Sequence, residues 1–225
     1  MPLDDVLRRE LTEAIKAYDF PRVTYDFRNS IERQHDSMRG VEECVCGSLL
    51  SDDAELVKDG LSNVLYWGYA RMGYGWVRVN RFRDGVTTNN LLEAQSLFRQ
   101  LKGPGLSEIK KLRLPEFGGL SFVSKVRMFL DPANYVTLDL KLIKKLGSEK
   151  QLTIFDQISL PPNATTARIS SANEQFYERW CCLCRRIATS YFGDPNIRAV
   201  EIERAVYHLV STDRPGLAAE ILASA

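Results

Sequence analysis

Residues 107–130 combine glycines, hydroxyls and a lysine at the start of a predicted helix. Gly118 and Gly119 permit positive φ and a close backbone approach to a ligand, and the first N–H groups of a helix attract anions. A polar stripe follows at positions i, i+3 and i+4 of that helix: Ser121, Ser124 and Lys125. Serine and lysine are common phosphate contacts, so the pattern indicates a phosphate-binding surface. An αα-hairpin with a solvated polar face explains the same pattern.

Asp139 lies at the predicted start of the next helix, within residues 131–147. Helix capping by itself accounts for an aspartate at this position. The apolar residues around it indicate partial burial, and they are Val136, Leu138 and Leu140. A carboxylate held there can activate a water molecule or stabilise a developing cation. The helix that it begins is basic on one side, through Lys141, Lys144 and Lys145.

Helical periodicity dominates the rest of the chain and predicts a mainly α fold with short strands at its margins. The predicted helices cover residues 4–18, 30–50, 51–72, 87–101, 107–113, 120–130, 139–147 and 171–192, followed by one with Ile202, Val206 and Leu209 in register. Alternation predicts a strand at residues 22–27, and a further strand is possible at residues 151–156.

The composition is that of a globular protein and excludes a wholly disordered chain, a collagen and a disulfide-rich mini-protein. The 225 residues carry a net charge of +1, which argues against nucleic-acid binding by bulk basicity. The charge is unevenly placed, however: residues 1–98 carry −4, residues 99–150 carry +6 and residues 151–225 carry −1. The basic excess therefore coincides with the segment that holds the glycine turn and Asp139.

The sequence shows no secretion signal and no apolar run long enough for a membrane span, so we expect a cytoplasmic protein. In that compartment the five cysteines are expected to be reduced thiols. A CxC pair and a CCxC group would form a metal site only if they met in space. They are Cys44, Cys46, Cys181, Cys182 and Cys184.

The order of a helix, an LPEFGG turn, a second helix, a short loop and an aspartate resembles the helix-hairpin-helix (HhH-GPD) superfamily of DNA glycosylases. The VTLDLKL context of Asp139 looks most like the 8-oxoguanine-type branches. The resemblance covers residues 105–147. It implies a helix-hairpin-helix glycosylase-like helical fold over residues 1–225, with residues 99–150 carrying the hairpin and residues 1–98 plus 151–225 forming a flanking helical body.

By position, the resemblance matches Gly118, Gly119 and Ser121 to the hairpin that grips the DNA backbone, and Asp139 to the aspartate that supports base loss. The family's turn has two glycines two residues apart, and here the first is shifted or replaced. Bifunctional members place a nucleophilic lysine just after the turn, where this chain has Leu120 or Ser121. The resemblance therefore favours a monofunctional enzyme, with Lys125 on phosphate. Lys125 as a nucleophile is the alternative.

The resulting prediction is a DNA N-glycosylase that removes a damaged or modified base and leaves an abasic site. Its partner would be double-stranded DNA with a flipped base, it would act as a monomer, and it would need no cofactor or catalytic metal. The base would be an oxidised purine, an alkylated purine or a hypermodified base, in base-excision repair or in antiviral defence. The rival interpretations are a non-catalytic DNA-binding hairpin module and a helical interaction protein.

A flipped base requires a pocket with stacking aromatic side chains. Residues 65–76 supply the candidates, and we expect one or two of them to reach such a pocket: Tyr66, Trp67, Tyr69, Tyr74 and Trp76. Lys141 completes the predicted contacts to the DNA backbone, together with Gly118, Gly119, Ser121, Ser124 and Lys125.

Overall fold

A computed structural model describes residues 4–100, 103–149, 154–158, 160 and 163–225, and it confirms a mainly α protein with one small two-stranded sheet. The elements in chain order are α1 Asp5–Ala17, β1 Val23–Asp26, β2 Ile31–Gln34, α2 Met38–Leu49, α3 Ala54–Gly68, α4 Gly75–Gly85, α5 Thr88–Gln100, α6 Leu106–Lys111, α7 Leu120–Leu130, α8 Leu140–Leu146, α9 Ser171–Ile187, α10 Ala199–Ser211 and α11 Pro215–Ser224.

The chain divides into two compact units. Phe20–Asp131 form the central unit, and Met1–Asp19 with Pro132–Ala225 form the terminal unit. The boundary falls at Asp131 and Pro132, inside the segment 99–150 that the sequence grouped together. The glycine turn therefore belongs to the central unit and Asp139 to the terminal unit.

The central unit is built around α3, whose apolar residues Leu61, Val64 and Leu65 are fully buried. Asp53 caps the beginning of α3 by accepting a hydrogen bond from the Glu55 N–H at 2.9 Å. Strands β1 and β2 pair as an antiparallel hairpin with Val23 opposite Gln34. The buried Asn63 side chain of α3 ties this hairpin to the helix, because it bonds both the N–H and the carbonyl of Tyr25.

The terminal unit packs α1 and α9 against α10. The sequence spaces Phe176, Trp180, Leu183, Ile187 and Tyr191 at helical intervals, and the first four are buried on α9, whereas Tyr191 is half-buried. Ser170 caps α9 by accepting a bond from the Asn173 N–H at 3.3 Å. A short π-helix, Ala188–Phe192, extends α9 and ends at Gly193 in the left-handed region.

Four predictions of secondary structure need correction. The helix predicted over residues 30–50 begins only at Met38, because residues 31–34 pair with β1. Helices α4 and α11 were not predicted. The possible strand at residues 151–156 is replaced by a 3₁₀ helix at Ile154–Gln157, and residues 151–153 lie outside the described residues.

Candidate functional site

The turn between α6 and α7, residues 112–119, places its left-handed positions at residues other than glycine. Positive φ occurs at Arg113 (52°) and Glu116 (68°), whereas Gly119 is extended with φ of −108°. Gly118 has no positive φ either. The positive φ that Gly118 and Gly119 permit is therefore not used in this structure. We call residues 112–119 the hairpin turn.

Ion pairs to α4 hold Glu116 in this conformation. Its carboxylate accepts a hydrogen bond from Arg78 Nη1 at 2.8 Å and lies 3.7 Å from Arg81 Nη1. The bond to Glu116 is also the main cause of a raised pKa for Arg78. A left-handed backbone costs a residue other than glycine about 1–2 kcal/mol. The two arginines and the packing of buried Phe117 on Phe82, with ring centroids 5.5 Å apart, offset that cost.

The beginning of α7 is open at Gly118. Gly118 is exposed, and a Cβ atom there would meet nothing within 4 Å. Gly119 is the N-cap residue, and no side chain caps the helix. Space for an anion beside the first turn of α7 is therefore present at this end of the hairpin turn.

The predicted phosphate-binding stripe is brought together but buried. Lys125 Nζ donates to Ser121 Oγ at 3.0 Å, and Ser124 Oγ donates to the Ser121 carbonyl at 3.0 Å. The exposed fraction is 0% for Ser124 and 6% for Lys125. Both interpretations of the sequence had placed this stripe at the surface, so both are corrected. Of the three side chains, that of Ser121 is half-buried.

Close packing of α3 on α7 explains this burial. A Cβ atom at Gly68 of α3 would lie 2.6 Å from Cε1 of Phe122 and 3.3 Å from Cδ of Lys125. Only glycine fits at such a crossing. The aliphatic part of Lys125 thus passes against α3, and its ammonium lies 5.1 Å from the centre of the Phe122 ring.

Asp139 is the N-cap residue of α8, as predicted. Its Oδ1 accepts a hydrogen bond from the Lys141 N–H at 2.9 Å. The residue is half-exposed, whereas Val136 and Leu138 before it are fully buried. A carboxylate is therefore presented at the surface from a segment that is otherwise inside the terminal unit.

Residues 132–139, which we call the Asp139 loop, are fixed by hydrogen bonds from α9 and α10. The Tyr177 hydroxyl donates to the Val136 carbonyl at 2.8 Å, and Trp180 Nε1 donates to the Thr137 carbonyl at 2.9 Å. Thr137 Oγ1 donates in turn to Glu203 Oε1 at 2.5 Å. All three bonds are buried, so they hold the loop in one conformation.

The carbonyls at the start of the Asp139 loop also cap α10. The N–H groups of Ala199 and Val200, at the beginning of that helix, donate to the carbonyls of Ala133 and Pro132 at 3.4 and 3.3 Å. The first N–H groups of a helix have no acceptor within the helix, and here the Asp139 loop supplies those acceptors. The position of Asp139 thus depends on two helices at once.

The lysines after Asp139 are all exposed. Lys141 Nζ donates to Ser211 Oγ at 3.2 Å and lies 5.7 Å from the Tyr207 ring centre, and Lys145 pairs with Asp213 at 3.6 Å. Lys144 is exposed on the same short helix. Lys141 is the one predicted phosphate-contacting lysine that the structure leaves at the surface.

Three of the five predicted pocket aromatics line one cavity of about 410 Å³ in the central unit, which we call the aromatic pocket. They are Tyr66, Tyr69 and Trp76. The Tyr66 hydroxyl donates a short hydrogen bond to Oε2 of Glu32, which lines the pocket from β2. Burial is the main cause of a raised pKa for Tyr66, and the bond to Glu32 adds to it. Met72 also lines the pocket and is half-exposed.

The other two predicted aromatics do not line the pocket. Trp67 is buried and packs on Phe20 and Phe129, with ring centroids 4.8 and 5.2 Å away, so it belongs to the core. Tyr74 is 49% exposed and packs on Tyr69 with ring centroids 5.4 Å apart. A base-pocket role for these two residues is not supported by their positions.

The cysteines stay thiols in the structure, and none forms a disulfide. Burial raises the pKa of the Cys46 thiol and, far more strongly, that of Cys184, whereas Cys182 is exposed. No cluster of three or more metal-binding side chains occurs within the described ranges.

Sequence reasoning missed the charged residues that position the site. Glu116 is not among the residues that the sequence singled out, and Arg78 and Arg81 lie in helix α4, which was not predicted. Their i, i+3 spacing beside buried Val79 and Phe82 was the available signal. Glu32 gave no signal, because its role depends on pairing between β1 and β2.

Comparisons with protein-family models, with curated proteins and with solved structures found no match. Among the helices of the described residues, none is long and apolar enough to cross a membrane.

Proposed function

We propose that this protein is a DNA N-glycosylase that releases a damaged or modified base from double-stranded DNA and leaves an abasic site. The observation that carries the proposal is the presentation of Asp139. Three buried hydrogen bonds fix its loop, yet Asp139 itself is only partly buried. Such rigid placement is what electrostatic stabilisation of a developing cation requires.

The hairpin turn gives independent support. Of its two left-handed residues, Arg113 and Glu116, the second stands two residues before Gly118, which is the spacing of the two glycines in the family's turn. Glu116 is thus the residue that replaces the first glycine, held by Arg78 and Arg81. The open space at Gly118 then gives a phosphate access to the backbone N–H groups at the beginning of α7, as the resemblance implies.

Two side-chain roles change accordingly. Phosphate contact is assigned to the Gly118–Gly119 backbone and to Lys141, and no longer to Ser124 or Lys125. The exposed turn and the exposed lysine are the groups that a DNA backbone can reach.

In the proposed reaction the bond between C1′ of the sugar and the base nitrogen breaks, and its electron pair leaves with the base. The Asp139 carboxylate stabilises the oxocarbenium-like sugar and accepts a proton from the attacking water. The water oxygen bonds to C1′, and the proton that Asp139 has accepted passes through solvent to the released base, so that Asp139 is again a carboxylate. The products are the abasic sugar and the free base.

Lys125 is not the nucleophile in this mechanism. Its ammonium is buried against Ser121 Oγ, and a Schiff base would need an amine within reach of the sugar C1′. We therefore propose a monofunctional enzyme, so borohydride should trap no protein–DNA adduct.

The test is base release from a panel of duplexes that carry oxidised, alkylated or hypermodified bases, followed by alkali cleavage at abasic sites. We expect cleavage for at least one duplex with the unmodified protein. Asp139→Asn should abolish that cleavage, and Asp213→Asn, at an exposed aspartate that pairs with Lys145, is the matched control.

Two outcomes contradict the proposal. One is the absence of abasic product from every duplex. The other is full activity of Asp139→Asn, which would leave a DNA-binding module whose chemistry, if any, lies elsewhere. If the unmodified protein shows no salt-sensitive binding to DNA at all, the rival interpretation as a helical interaction protein is favoured.

A further inference from the structure

The aromatic pocket has the form of a corner and not of a sandwich. The rings of Tyr66 and Trp76 have centroids 5.2 Å apart and are inclined at 60° to each other. They touch, so no flat ring fits between them. Tyr25 supports both from behind, with centroids 4.6 Å from Trp76 and 5.6 Å from Tyr66. Tyr69 is a third aromatic residue of the lining, in a cavity of about 410 Å³.

The charge of the pocket is negative. Glu32 is the one ionisable group besides the tyrosines among the residues described as lining it, and no lysine, arginine or histidine is among them. Its oxygens accept hydrogen bonds from Tyr66 and from Gln34 Nε2, the latter at 2.9 Å. A carboxylate has about four lone-pair sites, so both oxygens retain acceptor capacity. These two bonds hold the charge beside the aromatic faces.

We propose that the aromatic pocket binds an organic cation, namely a methylated nitrogen that carries a positive charge. Aromatic faces attract a cation through their quadrupole, and a rounded group enclosed by inclined rings contacts several faces at once. The carboxylate of Glu32 supplies the balancing charge. A neutral, flat ligand would gain neither interaction, since it stacks on only one ring of the corner.

One glycine of the lining, Gly73, leaves open space at the pocket, because a Cβ atom there would meet nothing within 4 Å. Gly75 instead packs closely on Tyr69, where a Cβ atom would lie 3.1 Å from Cβ of that residue. The exposed residues beside them include Trp76 at 41% and Met72 at 51%. The lining is therefore reachable from solvent in the structure as it stands.

The same chemistry has two sources. One is a purine methylated on a ring nitrogen, and this form of the inference rests on the proposed function, because the base must be flipped out of DNA. The other is a methylated ammonium group on a small molecule, which needs no DNA. Both differ from a neutral oxidised purine in carrying a full positive charge.

The experiment is isothermal titration calorimetry of the full chain with two matched pairs of ligands. Choline is compared with 3,3-dimethyl-1-butanol, its uncharged isostere, and cationic 7-methylguanosine is compared with guanosine. We expect each cation to bind at least about fivefold more tightly than its neutral partner. Preference confined to choline points to the ammonium source, and preference confined to 7-methylguanosine points to the base.

Three variants assign any binding to the pocket. Trp76→Ala and Glu32→Gln should each weaken binding of the cation about five- to tenfold, and Glu32→Gln should affect the neutral partner far less. Val77→Ala, at an exposed residue next to Trp76, is the control and should bind like the unmodified protein. Circular dichroism of each variant verifies that it is folded.

Equal affinity for cation and neutral partner in both pairs overturns the inference, as does cation binding that survives both pocket variants. Neither result bears on Asp139, because base release from duplex DNA is measured separately. Conversely, a protein that releases no base but binds choline through Glu32 and Trp76 would contradict the proposed function and leave this inference standing.

Discussion

The hairpin turn and the Asp139 loop are both irregular segments that lead into a helix, but they are held in different ways. Charged side chains at partly exposed positions fix the turn, through Glu116, Arg78 and Arg81. Neutral donors buried in α9 fix the loop, through Tyr177 and Trp180. The first arrangement weakens as salt screens the charges, whereas the second is insulated from solvent.

The difference has energetic consequences. Surface ion pairs contribute about 0–1 kcal/mol each, so the turn should tolerate their loss. Leaving a buried carbonyl without its donor costs about 1–3 kcal/mol of folding stability. The Asp139 loop should therefore be sensitive to the loss of a single donor. A segment that grips a flexible backbone can be adaptable, while one that places a carboxylate against a reacting atom cannot.

The largest expected effect is at Trp180. Trp180→Ala removes a fully buried ring and the donor to the Thr137 carbonyl, and should lower the free energy of unfolding by about 3–5 kcal/mol. Urea unfolding measures this change. A loss below about 1 kcal/mol would show that the loop is not anchored there.

A substitution at Tyr177 distinguishes the contribution of hydrogen bonding to the Asp139 loop from that of packing. Tyr177→Phe retains the ring and removes the donor to the buried Val136 carbonyl, so unfolding should cost about 1–3 kcal/mol less. Tyr191→Phe is the matched control, because its hydroxyl donates to the Ala225 carbonyl at 3.5 Å, at the limit of a hydrogen bond, and outside the Asp139 loop. Equal effects of the two substitutions would mean that the bond to Val136 does not stabilise the loop.

Substitutions of Glu116 test how the hairpin turn is held. They should change the free energy of unfolding less than those in the Asp139 loop, and the sign should depend on the new residue. Glu116→Ala loses the ion pairs and keeps a left-handed backbone, so stability should fall by about 0.5–1 kcal/mol. Glu116→Gly loses the same pairs but relieves about 1–2 kcal/mol of backbone strain. Chemical denaturation should therefore find the glycine variant at least as stable as the unmodified protein, and more stable than the alanine variant. A glycine variant no more stable than the alanine variant would mean that the left-handed backbone at Glu116 is not strained, and an alanine variant as stable as the unmodified protein would mean that the ion pairs contribute nothing.

The smallest effect concerns the β1–β2 hairpin, which is also held by surface charge. Hydrogen bonds from Asn29 are the main cause that lowers the pKa of Asp26 from 3.8 to about 2, with Arg33 adding to it. A lowered folded-state pKa means that this stabilisation is complete above pH 3.8 and disappears as the pH falls through 2. The stability difference between the unmodified protein and Asp26→Asn should shrink over that window. A difference that stays constant with pH would contradict this assignment.

Local sequence patterns were sufficient to predict a large part of the fold. The apolar register of α9 and the N-cap position of Asp139 depend on residues within one or two helical turns, and both predictions are confirmed. Helix α4 escaped prediction because Gly73 and Gly75 resemble a helix end, although Gly75 begins the helix.

The remaining features depend on contacts between distant residues. Lys125 is buried because Gly68, more than fifty residues earlier, lets α3 approach α7. Helical spacing places Lys125 on a face but does not say what covers that face. Glu116 and Arg78 are likewise 38 residues apart, and Glu32 and Tyr66 are 34 apart. No spacing rule connects such pairs.

Single-turnover release of the base, from a duplex that the unmodified protein cleaves, measures whether the charge of Asp139 drives the reaction. Asparagine caps a helix about as well as aspartate, so Asp139→Asn should retain the stability of α8, whereas Asp139→Ala should lose about 1 kcal/mol. Both variants should release the base at least about 10²-fold more slowly than the unmodified protein. If Asp139→Asn released the base as fast as the unmodified protein, Asp139 would be only a helix cap and would take no part in the reaction.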